Sequence, residues 1–90
     1  MSNMRIWKFP LEVTDSQRVG MPPGAKLLTV QMQGPTPCLW ALVDETIPHR
    51  VTRAIAIYGT GNSMPDEPGE YIATFQMAAG ALVFHAFELR

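Results

Sequence analysis

The densest group of side chains able to do chemistry in this 90-residue chain is Tyr58-Gly59-Thr60-Gly61-Asn62-Ser63. Two glycines and an asparagine permit successive residues with φ > 0, a geometry that turns neighbouring N–H groups toward one anion. Thr60, Asn62 and Ser63 add side-chain donors, and Tyr58 offers a ring on which a base can stack. The Gly-Lys-Ser/Thr of a phosphate-binding P-loop is missing, as is a helix to follow it. The plainer role for the same glycines is a tight connector. Arg53, with Arg50, offers the planar fork that suits a phosphate. Arg53 precedes Thr60 by seven positions, roughly 20 Å of extended chain. The two would meet at one ligand only across a subunit boundary or a sharp fold-back, and otherwise the arginines solvate a strand edge. The expected ligand-binding set is therefore Arg53, Tyr58, Gly59, Thr60, Gly61, Asn62 and Ser63.

Catalytic and metal chemistry find less to work with. His49 and His85 are the two histidines, and neither has an imidazole or thiol close by in sequence, so no metal site is expected. His49 follows Pro48 and reads as a solvated loop residue, whereas His85 reads as a strand residue packed at the edge of the core. Cys38, the single cysteine, enters an apolar run and reads as an inert packed thiol. Ser63 lacks the second glycine of a nucleophile elbow. The carboxylates Glu12, Asp15, Asp44, Glu45, Asp66, Glu67, Glu70 and Glu88 are scattered, which fits a role in solubility. No nucleophile, base and orienting group stand together. A non-enzymatic protein without a cofactor is the expectation.

Prolines and glycines recur too often for helices of ordinary length, at intervals that suit strands of about 5–6 residues. Strands are expected over Met4–Leu11, Gln17–Met21, Ala25–Gln33, Cys38–Asp44, Arg50–Tyr58, Glu70–Met77 and Ala81–Leu89, with a helical turn over Thr14–Val19 as the weaker alternative. Pro22-Pro23-Gly24 and Gly34-Pro35-Thr36-Pro37 read as reversals, and Ala78-Ala79-Gly80 joins a final hairpin. In Ala25–Gln33 the alternation places Leu28, Val30 and Met32 inward. About seven short, mainly antiparallel strands at this spacing make an all-β sandwich or small barrel, one β-rich domain over residues 1–90.

Composition bounds the partners. Seven Lys and Arg against eight Asp and Glu give a net charge of −1, which excludes holding nucleic acid or anionic lipid by bulk charge. No apolar run approaches the ~20 residues that span a bilayer, and the start of the chain lacks the layout of a secretory signal. With a lone cysteine, these features suit the cytoplasm. Charged residues make up 17% of the chain, below the ~25% of an average domain. Both alternating faces are apolar in Cys38–Val43, Leu82–Phe87 and Ala54–Tyr58. A domain this small has little interior to cover them all. Either these strands occupy the middle of the fold, or a second copy of the chain covers one face, and self-association is expected.

Four blocks, Ile6-Trp7-Lys8-Phe9-Pro10-Leu11-Glu12-Val13-Thr14-Asp15, Pro37-Cys38-Leu39-Trp40-Ala41-Leu42-Val43-Asp44, Ile57-Tyr58-Gly59-Thr60-Gly61 and Gly80-Ala81-Leu82-Val83-Phe84-His85, resemble a family of short phage and prophage proteins of unknown function. Members of that family often carry His after Gly-Thr-Gly where this chain has Asn62, so no role needing an imidazole there carries over. The resemblance implies a viral accessory protein working in the bacterial cytoplasm. Two functions then follow as expectations. One is a homo-oligomeric sponge that sequesters a nucleotide-derived signal of host defence at subunit boundaries. The other is an inhibitor that covers a host defence protein such as a nuclease or CRISPR complex, using Trp7, Trp40 and free strand edges.

Overall fold

The computed structural model describes residues 2–90. Strands β1 (Met4–Pro10), β2 (Gln17–Met21), β3 (Lys26–Gln33), β4 (Thr36–Asp44), β5 (Val51–Gly59), β6 (Glu70–Met77) and β7 (Leu82–Glu88) follow in chain order, and Ala78–Gly80, all three at positive φ, make a left-handed turn between the last two. They form two antiparallel sheets, β1-β4-β3 and β2-β5-β7-β6. The fold is an open sandwich rather than a closed barrel. The region offered as an alternative helix, Thr14–Val19, is a bend running into β2.

Turn chemistry explains the connections. Gly24, at φ +77, closes the Pro22-Pro23-Gly24 turn between the sheets, where the Ala25 amide donates to the Pro22 carbonyl. The β3–β4 reversal is shorter than the Gly34-Pro35-Thr36-Pro37 segment suggests. Gly34 (φ +58) and Pro35 alone make the turn, and Gln33 already pairs with Thr36. A positive φ followed by proline's fixed φ fits a two-residue hairpin that matches strand twist.

Alternation then fills the core. Trp7, Phe9 and Leu11 from β1 and its end face Leu39, Ala41 and Val43 of β4, and opposite them lie Met21, Ile55, Ile57, Ala73, Phe75 and Ala86. Leu39, Val43, Ile55, Val30 and Met21 are fully buried. The three doubly apolar strands are the inner strands of the two sheets: β4 of the first, β5 and β7 of the second. Their second faces look outward and are covered partly by neighbours on the adjacent strands. Small residues there vanish from solvent, as Cys38 does between Pro10 and Gln31 and Ala56 does beside Phe87. Larger ones, Trp40, Leu42, Tyr58 and Phe87, remain half-buried.

One inward assignment fails. The β3–β4 register slips between Leu27 and Thr29, so Leu28 is an extra, bulged residue. Leu28 is 40% exposed, while Leu27 packs on the core in its place. A bulge breaks the period of two without leaving the strand, and strict alternation back from Val30 selects the wrong leucine. A second bulge lies between Tyr71 and Ala73 in β6. It places Ile72 against the core and leaves Tyr71 outside at 57% exposure.

Candidate functional site

The outer face of the four-stranded sheet carries the best-formed constellation. Register sets Tyr58 of β5 and Thr74 of β6 on either side of His85 of β7, and Ala56 and Tyr71 on either side of Phe87. Both tyrosine rings meet Phe87 edge-on, Tyr58 at 5.8 Å and 67° and Tyr71 at 5.5 Å and 70° between centroids and planes. This T-shaped contact suits the aromatic quadrupole. Beyond Gly59 the chain turns over that surface. The Thr60 amide and hydroxyl both donate to the Val83 carbonyl, at 3.0 and 3.3 Å, extending the β5–β7 ladder by one residue.

His85 is held from both sides. Thr60 Oγ1 lies 2.7 Å from Nε2 and Thr74 Oγ1 lies 2.9 Å from Nδ1. The Tyr71 hydroxyl reaches the same Thr74 oxygen at 2.8 Å. The result is a continuous row of hydroxyls and imidazole under the loop. Beside it opens a pocket of about 270 Å³ lined by Thr60, Asn62, Met64, Tyr71, His85 and Phe87, with Gly59 and Gly61 at its rim. Among the described residues that line it there is no Asp, Glu, Lys or Arg. Such a site offers rings for stacking and neutral donors and acceptors for a polar edge.

Of the residues expected to bind a ligand, Gly59, Thr60, Gly61 and Asn62 line this pocket and Tyr58 stands behind it against Phe87. Ser63 is exposed and outside the lining. Gly61 is the one loop residue here with positive φ, at +88. The amides of Thr60 and Asn62 are spent on the carbonyls of Val83 and Gly59. Two of the amides expected to form an anion nest are thereby taken up by the chain's own carbonyls.

Arg53 belongs elsewhere. It sits toward the other end of β5, with its side chain on the inner side, and donates through Nε and Nη2 to Glu88 and through Nη1 to the Ala25 carbonyl at 2.8 Å. This pairing holds its guanidinium more firmly protonated than an ordinary arginine, chiefly through the hydrogen bonds to Glu88. Arg53 lines a separate cleft of about 320 Å³ where β3 and β6 bulge. Arg50 is stacked over Trp7, 5.1 Å from the ring centroid. Asp44, which lines neither pocket, accepts from the Thr46 hydroxyl and amide, and these bonds hold its carboxyl below the usual aspartate range.

The residue that sequence reasoning undervalued is His85, which faces outward into the site rather than the core edge. The signal is the final hairpin: a reversal at Ala78-Ala79-Gly80 pairs Met77 with Leu82 and so Thr74 with His85. Thr74 and Tyr71 join the site through that same register. His49 is exposed in its loop and Cys38 is buried.

Among the described residues, no helix is long and apolar enough to cross a membrane. Searches of curated proteins and of solved structures returned no match. A family profile does match, from residue 2 to residue 90, through the strands, the Gly59–Asn62 turn and the His85 hairpin alike. The chain belongs to that family, described as a domain of unknown function (DUF7352).

Proposed function

We propose that this chain is a small non-enzymatic binding module that captures a nucleotide-derived ligand on the outer face of its four-stranded sheet. The observation that carries this reading is the 270 Å³ pocket, in which exposed Tyr71 and half-buried Phe87 adjoin Thr60, Asn62 and His85. Flat rings with a few polar groups at their edge suit a base, which has both an aromatic face and a hydrogen-bonding rim. The size is near the lower end of ligand pockets, ~300 Å³, and fits a base or nucleoside better than a long chain. Binding rather than turnover is favoured because His85 is oriented by a threonine hydroxyl on Nδ1. A hydroxyl supplies no counter-charge for the imidazolium that a general base becomes.

Within this reading the protein is a phage-type accessory protein of the bacterial cytoplasm, and its ligand is a signal of host defence held by stoichiometric capture. Titration calorimetry against a panel of cyclic nucleotides and ADP-ribose derivatives tests it. One of them is expected to bind at micromolar concentration or tighter. Tyr71→Ala is expected to weaken that binding by about 1–3 kcal/mol, the worth of one stacked base. A panel with no binder at high micromolar concentration overturns the proposal. A second reading, inhibition of a host protein, is favoured by the outer face of the other sheet, where Ile6 is 62% exposed in register with Leu42. One host protein captured at stoichiometric yield from lysate, with no small molecule retained, would favour it instead.

A further inference from the structure

We infer that the row Tyr71–Thr74–His85–Thr60 is a proton-controlled selector that gives the pocket a preference for a phosphate-bearing ligand when His85 is protonated. The inference rests on the nucleotide reading above and names the ligand group that the site favours. Its starting point is the end of the row. The Val83 carbonyl can only accept, and the Thr60 hydroxyl donates to it at 3.3 Å. Thr60 Oγ1 is then free to accept from His85 Nε2–H across 2.7 Å. In a neutral imidazole the other nitrogen is an acceptor, so Nδ1 takes the Thr74 hydroxyl proton across 2.9 Å. Thr74 Oγ1 in turn accepts from the Tyr71 hydroxyl at 2.8 Å. With its proton committed inward, Tyr71 shows the pocket only a lone pair.

Protonation reverses half of this row. Imidazolium donates from both nitrogens. Nδ1–H now needs Thr74 Oγ1 as its acceptor, which releases the Thr74 proton from the ring; we take it to turn to the Tyr71 oxygen, so that the Tyr71 proton swings out toward the pocket. One added proton changes Tyr71 from acceptor to donor and places a positive charge in a site whose described lining holds no Asp, Glu, Lys or Arg. The groups that face His85 are Tyr58 from β5, Tyr71 and Thr74 from β6, and Thr60 from the loop. None is a carboxylate or a cation that would mask the new charge. An anionic oxygen gains both a donor and a charge, whereas an uncharged base edge gains no charge term.

The test uses two probes of fixed charge, adenosine and 3′,5′-cyclic AMP, whose phosphodiester stays singly negative between about pH 5 and pH 8. Calorimetry is run at about pH 5.5 and about pH 8. Cyclic AMP is expected to bind on the order of tenfold more tightly at the lower pH, the scale of one charge-assisted hydrogen bond. Adenosine is expected to change by much less, and His85→Gln is expected to remove the pH dependence for cyclic AMP. Nitrogen-15 NMR of the imidazole in the ligand-free protein is the second arm, expected to show Nε2–H at high pH and a doubly protonated ring at low pH. A cyclic AMP to adenosine affinity ratio independent of pH, or an Nδ1–H tautomer, overturns the selector. If neither probe binds at either pH, the ligand preference is overturned, the nucleotide reading is decided separately by the wider panel, and the tautomer still decides the proton order.

Discussion

Arg53 and Glu88 show how a residue can look functional and act as a clamp. The guanidinium bridges Glu88 at the end of β7 and the Ala25 carbonyl at the entry to β3, so it ties the two sheets together. Both side chains are largely covered, 23% and 19% exposed. An ion pair in that position resists removal of one partner more than replacement of both, because the survivor keeps its desolvation cost. Glu88→Gln is therefore expected to destabilise the fold by about 1–3 kcal/mol in urea denaturation, and Arg53→Met in the same chain is expected to recover part of that loss. A Glu88→Gln variant as stable as the parent would show that the clamp does little. The sequence displayed the charge of Arg53 but not its partner, which lies 35 positions away.

At the scale of the element, the two bulges decide which side chains are inside. Alternation counted back from Val30 selects Leu28, and the structure selects Leu27. Alanine substitution separates the two directly. Leu27→Ala is expected to cost about 2 kcal/mol through lost burial and packing. Leu28→Ala is expected to stay within about 0.5 kcal/mol, as for most exposed positions. The reverse order in thermal or chemical denaturation would mean that β3 is unbulged. The bulge in β6 shapes the proposed site, because it leaves Tyr71 opposite Phe87 on the outer face while Ile72 packs against the core. Regular alternation counted back from Ala73 would turn Tyr71 inward and Ile72 outward, the wrong side for both. Gly69, just before β6, shows a backbone constraint of another kind. It has φ +92, and an added Cβ would stand 2.1 Å from the Glu88 carbonyl oxygen. Only glycine lets β6 begin so close to the end of β7.

For the whole molecule, the open question is the apolar surface that the sandwich leaves outside. On the three-stranded sheet Met4, Ile6 and Leu28 are exposed and Trp40 and Leu42 half-buried. The self-association expected from the sequence would place a second copy against this face, the same face that the second functional reading offers to a host protein. Native mass spectrometry is expected to show a multiple of the chain mass, and Ile6→Glu is expected to return it to a single chain with stability changed by no more than about 0.5 kcal/mol. A parent protein that is already a single chain at working concentration defeats the proposal. What the sequence determined alone was local: strands punctuated by Pro and Gly, turns whose φ only glycine accepts easily, and alternation that names most of the core. These depend on neighbours a few residues apart, whose sterics are written in order along the chain. Tertiary structure decided the rest: an open sandwich over a barrel, Leu27 over Leu28, Arg53 as a cross-sheet clamp, and His85 between Thr60 and Thr74. Each depends on which strands lie side by side and in what register, and that is settled by burial summed over both sheets.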